Sequence, residues 1–190
     1  MISPEQIKRI GSGAVAGAIA GIAASAVMNQ YQKLAGRMIS KDERSHGAQS
    51  QQQGEPQHGI GKYLDEHNAD DPNDTAPARL ANAASISLTG EPLDPNAREI
   101  AGTALHYAYG TSMAMLYGGA AEVIPQITIG VGLAFGAAVW LGADEVVTPA
   151  LGLSKTTAEY PISTHAYALS SHLVYGLTTE VVRRAVRRFI

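Results

Sequence analysis

Charged side chains cluster along this chain and leave four long stretches without Asp, Glu, Lys or Arg: residues 10–32, 100–121, 123–143 and 160–179. Each is close to the ~20 residues that a helix rising ~1.5 Å per residue needs to cross a ~30 Å hydrocarbon layer. Soluble helices of that length carry a charged stripe on their exposed face, and none of these four does. The pattern predicts an all-α fold, a four-helix transmembrane bundle with helices over 10–35, 96–121, 124–146 and 161–187. A soluble bundle is the alternative, because Ala and Gly dominate the spans and drive burial less than Leu or Ile.

Between the first two spans lies the one sizeable polar segment, residues 38–95, read as a long acidic extramembrane loop. It opens with a Gln-rich tract, Gln49 and Gln51 to Gln53, of linker-like composition. Over residues 38–99 five basic residues face eleven acidic ones, a net charge of −6. Thr75 with Pro77 signals a short helix over 75–88, and Asp94 before Pro95 a second helix start, since Asp caps free amides and Pro needs none there.

Within the first span Gly13, Gly17, Gly21 and Ser25 recur every fourth residue, which puts four small side chains on one helix face. That row is a packing surface, either inside the bundle or as a homodimer seam. Lys8 and Arg9 before an apolar run ending in Ala24-Ser25-Ala26 resemble a secretory signal, but the segment is expected to be retained as a crossing. Residues 122–125 between the second and third spans allow only an antiparallel hairpin. Pro149, Gly152 and Pro161 interrupt the helix between the third and fourth.

Four crossings put both termini on one side. Arg183, Arg184, Arg187 and Arg188 have no acid after Glu180, which favours a cytoplasmic side and contact with lipid headgroups. No basic patch with interleaved aromatics occurs, so no nucleic-acid partner is expected. The absence of cysteine excludes disulfides, thiolate metal sites and thiol catalysis.

Two of the spans repeat a motif, His-x-x-Tyr-Gly, at His106 to Gly110 and at His172 to Gly176, which suggests a duplicated helical hairpin. Imidazoles in uncharged spans are costly to bury and mark candidate sites. Topology maps His106, Asp144, Glu145, Glu159, His165 and His172 to one membrane half, with Tyr109 and Tyr175 a turn from the motif histidines. These eight residues form a candidate buried polar cluster.

Three uses of it compete. Interhelical hydrogen bonding would fix helix register without turnover. A proton or divalent-metal site would use imidazole and carboxylate, although no His-Glu spacing matches a known ligand motif. Axial ligation of haem b by His106 and His172 is chemically open to imidazole. No nucleophile elbow or phosphate loop is present, so no catalytic residue is assigned and no cofactor is expected on the first use.

The run Ala143-Asp144-Glu145-Val146, then Pro149 to Ser154, Glu159-Tyr160-Pro161, Ser163 to Ala166 and His172 to Glu180 resembles the YagU-type bacterial inner-membrane family, a domain of unknown function. The resemblance is clearest over residues 100–188, with weaker support from Gly21 to Gln32, and implies a small polytopic protein of the bacterial inner membrane; it supplies no substrate, cofactor or catalytic residue. The expectation is a non-catalytic structural or accessory component, with the bilayer as partner and either a homo-oligomer or a larger membrane complex around it. A proton- or metal-responsive membrane protein is the rival.

Overall fold

The computed structural model describes residues 3–35, 58–71 and 74–190. The Gln-rich tract lies outside the described residues, as do Arg37, Lys41, Asp42, Glu43, Arg44 and Glu55. The fold is all-helical, with no strand among the described residues. In order the elements are α1 (Pro4–Ala35), α2 (Gly59–Glu66), α3 (Ala76–Thr89), α4 (Pro95–Ala121), a 3-10 turn (Pro125–Thr128), α5 (Leu133–Trp140), a π-helical stretch (Leu141–Val147), the short α6 (Thr148–Ala150), a second 3-10 turn (Thr157–Glu159) and α7 (Ile162–Val186). Among the described residues one helix, α1, is long and apolar enough to cross a membrane.

Local chemistry sets the boundaries. The Thr75 hydroxyl accepts the Ala78 amide at the start of α3, and Gly90 closes that helix at φ 78°, where a side chain would be strained. One Asp94 oxygen accepts the amides of Asn96 and Ala97, both at 3.0 Å, and starts α4. The helix expected from residue 124 begins instead at Leu133. Gly130, Val131 and Gly132 all take positive φ, 79°, 54° and 83°, which breaks the helical path that an uncharged apolar sequence suggested. Downstream, Pro149 lacks the amide that would bond the Glu145 carbonyl in an α-helix, and the wider π register just before it accommodates that loss.

The chain divides into two compact units. The first comprises Met1–Lys33, Tyr107–Val139 and Leu169–Ile190; the second comprises Leu34–His106 and Trp140–Ala168.

Two glycine seams organise the first unit. α1 packs antiparallel to α4: a Cβ added at Gly17 would collide with the Ala114 carbonyl, one at Gly13 would reach the Gly118 carbonyl, and one at Gly21 would lie 2.7 Å from Thr111 Cα. Gly110 meets Ser25 on the same seam. The row of small residues on α1 is therefore taken up within the chain. The second seam sets Gly132 and Gly136 against Gly176 and the His172 carbonyl of α7. Of the two His-x-x-Tyr-Gly glycines, Gly176 sits where two backbones touch and Gly110 where the Ser25 side chain packs, as small residues do when helices approach closely.

The second unit has an aliphatic core of Leu64, Ala69, Ala83 and Ile86, with Ile60 and Tyr63 packed on it. The start of α2 is fixed on the turn after α6. Ile60 and Gly61 donate their amides to the carbonyls of Leu151 and Gly152 at 2.9 and 2.8 Å, pairing groups that a helix start otherwise leaves free. Gly59 and Gly152 permit this approach, because a Cβ on either would strike the opposite backbone.

Candidate functional site

Of the eight expected cluster residues, Tyr109, His172 and Tyr175 belong to the first unit, and His106, Asp144, Glu145, Glu159 and His165 to the second. In the first unit Tyr175 is buried and donates its hydroxyl to the Gly110 carbonyl at 2.5 Å, so the tyrosine of one motif copy binds the glycine of the other. His172 is buried, whereas Tyr109 is exposed.

In the second unit one close pair forms. His165 Nδ1 lies 2.7 Å from Glu145 Oε1, and His165 Nε2 lies 3.1 Å from the Thr157 carbonyl oxygen. A carbonyl only accepts, so Nε2 carries hydrogen. Nδ1 then either donates to a Glu145 carboxylate or accepts from a protonated Glu145. Both arrangements hold one proton more than a neutral ring beside a carboxylate. Without that proton, a nitrogen lone pair would face an oxygen at one of the two contacts.

Glu159 stands apart from this pair. It is exposed and accepts the Thr156 amide and hydroxyl at 3.1 and 2.7 Å, which hold its carboxyl below the usual carboxylate range. Asp144, adjacent to Glu145 on the π stretch, is buried. No group of three or more His, Cys, Asp or Glu able to hold a metal ion occurs among the described residues.

Sequence reasoning missed two larger constellations. In the first unit Glu180, fully buried, accepts four hydrogen bonds: Tyr117 Oη at 3.0 Å and Arg183 Nε at 2.8 Å on one oxygen, Arg183 Nη2 at 3.0 Å and Arg184 Nε at 2.5 Å on the other. Glu122 takes a bidentate pair from Arg187, at 2.8 and 3.0 Å, with Arg183 at 3.5 Å and Arg9 at 3.8 Å. The hydrogen bonds from Arg187 outweigh partial burial and hold Glu122 below the usual range. Tyr117 stacks on Phe135 at 4.3 Å, which fixes its hydroxyl toward Glu180. The Glu180, Arg183, Arg184 spacing of three and four residues was a visible sign, since such pairs share a helix face. Tyr117 and Glu122 left no local sign.

In the second unit Arg79 is fully buried and donates to the Leu153 carbonyl at 3.1 Å, the Asp71 carbonyl at 3.2 Å and the Asp70 carboxylate at 3.4 Å. Burial pulls its guanidinium down from its ordinary value, against the pull of Asp70 and Asp74. Arg98 donates to Asp74 at 2.6 Å, yet burial still raises that carboxyl above the usual range. The Asn82 amide donates to the Ala69 carbonyl, and its oxygen accepts the Leu93 amide. These bonds tie the acidic segment to itself and, through Arg79, to Leu153.

A family described as a protein of unknown function, DUF1440, matches residues 69–181, more than half of the chain. This chain belongs to the DUF1440 family. No curated protein and no solved structure matches it. The DUF1440 span takes in Arg79, Glu122, the Glu145–His165 pair and Glu180, and leaves out α1 and the arginines from 183 to 188.

Proposed function

We propose that this DUF1440 protein is a multi-pass protein of the bacterial inner membrane, spanning over 10–35, 96–121 and 161–187 and through the helical run that starts at Leu133, with a non-catalytic structural or accessory role. The observation that carries the reading is the inverted distribution of side chains in the first unit. Among its described residues no Leu, Ile or Val is buried; the interior is Gly, Ala, Ser, Thr, Tyr, Met28, His172 and the Glu180 network. Large apolar residues face outward instead, including Val15, Ile19 and Ile22 on α1, Met115 and Leu116 on α4 and Leu177 on α7. In water such a surface is a liability, whereas in lipid it is the favoured arrangement, with small residues reserved for helix contacts. Glu122 supports an even number of crossings, because it draws Arg9 near the N-terminus and Arg187 near the C-terminus to one end of that unit. The resemblance to an inner-membrane family agrees with this reading.

Alkaline-carbonate extraction, with reporter fusions after residues 46, 123 and 190, tests it. We expect the protein to stay in the membrane pellet, with cytoplasmic activity at 123 and 190 and periplasmic activity at 46. Release by carbonate, or opposite sides for 123 and 190, would overturn it.

A proton-responsive role is the second reading, favoured by the proton count at Glu145 and His165. On it, the Glu145–His165 contact and the 3-10 turn at Thr157–Glu159, whose Thr157 carbonyl also meets His165, form the responsive element. Protection factors across residues 155–165, which remove the intrinsic pH dependence of amide exchange, should then change with pH in the wild type and stay constant in Glu145→Gln. The same profile in both proteins would eliminate this role.

A further inference from the structure

Leu177, Val181, Arg184 and Arg188 are all exposed, at intervals of four, three and four residues, so they line one face of α7 and the turn that follows it. Within roughly 10 Å of helix rise that face changes from apolar to basic. α1 shows the same order from its own end: Lys8 and Arg9 are exposed, and the exposed Val15, Ile19 and Ile22 follow. The two basic ends meet at Glu122, which pairs with Arg9 and Arg187.

The arginines near the C-terminus are not equivalent. Arg183 is buried on Glu180, and Arg187 is committed to Glu122 through two bonds and to the Ile190 carbonyl through a third. Arg184 spends its Nε on Glu180 while its side chain stays 51% exposed. Arg188 is exposed and has no carboxylate partner among the described residues. A guanidinium has five N–H donors in a planar fork, so Arg184 held by Nε alone still presents its outer nitrogens.

The geometry points to Arg184 and Arg188 as a binding site for the phosphate headgroup of anionic phospholipids, at the end of the unit that Arg9 of α1 joins through Glu122, while Arg183 and Arg187 serve as internal braces. This rests on the membrane-spanning reading above and divides the four arginines by role. A lipid is the ligand because the basic groups continue an apolar stripe. One molecule then supplies acyl chain to Leu177 and Val181 and a phosphate to the guanidinium groups one to two turns beyond. Glu5, on the first turn of α1, is the exposed acid nearest in sequence to this rim and opposes the attraction.

The test uses the full-length protein in neutral detergent, titrated at low salt with phosphatidylglycerol or phosphatidylcholine, with binding followed by native mass spectrometry. Phosphatidylglycerol should bind at least tenfold more tightly. Arg188→Gln, which removes no internal bond, should cost that lipid roughly five-fold, the scale for one basic group at an anionic surface, and leave phosphatidylcholine unchanged. The double variant R184K/R188K should retain most of the preference. Lys62→Gln, an exposed side chain of α2, should change nothing. Equal binding of both lipids, an unaltered preference in Arg188→Gln, full displacement by millimolar inorganic phosphate, or equally tight binding of RNA would each overturn the site. Carbonate extraction separates the two failures: a protein that stays integral yet ignores headgroup charge loses only this site, whereas an extractable protein loses the membrane reading as well.

Discussion

The two units solve the interior problem in opposite ways. The second buries aliphatic side chains, Leu64 and Ile86 among them, and ties down its polar chain with Arg79 and Asn82. The first buries little larger than alanine apart from Met28, His172, Thr179, two tyrosines and a charged network, and its helices approach through glycine. Burial of apolar area is therefore the main source of cohesion in the second unit. In the first, close backbone contact and the hydrogen bonds of Glu180 and Tyr175 take that part.

Two carboxylates make the contrast local. Glu122 and Asp74 both face an arginine at hydrogen-bonding distance, yet Glu122 is shifted down and Asp74 up. Glu122 receives two bonds from Arg187 and the fields of Arg183 and Arg9, so pairing exceeds its desolvation. Asp74 receives one bond from Arg98, and burial exceeds it. A short ion pair alone does not say whether a buried charge is stabilising.

The largest effect should come from removing a buried partner in the first unit. Glu180→Ala leaves Arg183 buried with only Glu122, at 3.5 Å, as a carboxylate partner and should cost about 3–5 kcal/mol, read from denaturant unfolding in detergent. A loss under about 1 kcal/mol would mean that the network is solvated. Next, Leu64→Ala should cost about 2–5 kcal/mol, with faster hydrogen exchange in α2 and α3; unchanged exchange there would show that the aliphatic core does not carry those helices.

Replacing Gly17 by Ala pushes a methyl group into the Ala114 carbonyl and should cost about 1–3 kcal/mol in thermal unfolding, while Gly11→Ala, where an added Cβ meets nothing within 4 Å, should be tolerated. Equal behaviour of the two variants would remove the glycine seam as the basis of packing.

The smallest effects concern pH. Because the folded state lowers the pKa of Glu122, its contribution is present above the unfolded carboxyl value and is lost as pH falls through the lowered one. Asp74 has the opposite sign: its contribution is present below its unfolded value and is lost as pH rises through the raised one. Glu122→Gln should therefore flatten the acid limb of the stability curve, and Asp74→Asn should raise stability slightly at neutral pH. Stability measured from pH 3 to 7 separates them, and curves that move in the same direction would break the distinction.

Much of the fold was legible in local signals. The Thr75 and Asp94 caps, the α1 row of Gly13, Gly17, Gly21 and Ser25, and the absence of charge in four spans are properties of neighbours along the chain, which helix periodicity turns into a face or an end. The interruption at Gly130 to Gly132 was visible only as two glycines in an apolar run. α2 carried no cap strong enough to reveal it: its first amides are paired by the distant Leu151 and Gly152. The candidate site was legible in part. Asp144, Glu145 and His165 stood out as ionisable groups in or beside uncharged spans, but their spacing does not say that Glu145 meets His165 or that Asp144 is buried. Nor does any spacing say that Tyr117 and Arg183 converge on Glu180, or that Arg187 closes on Glu122 and so leaves Arg188 outside. The sequence by itself determined helix, polarity and small-residue faces, because these depend on residues within a turn or two. Which charges became interior braces was decided by the tertiary structure alone, because pairing over sixty residues of separation depends on which backbones the glycines allow to touch.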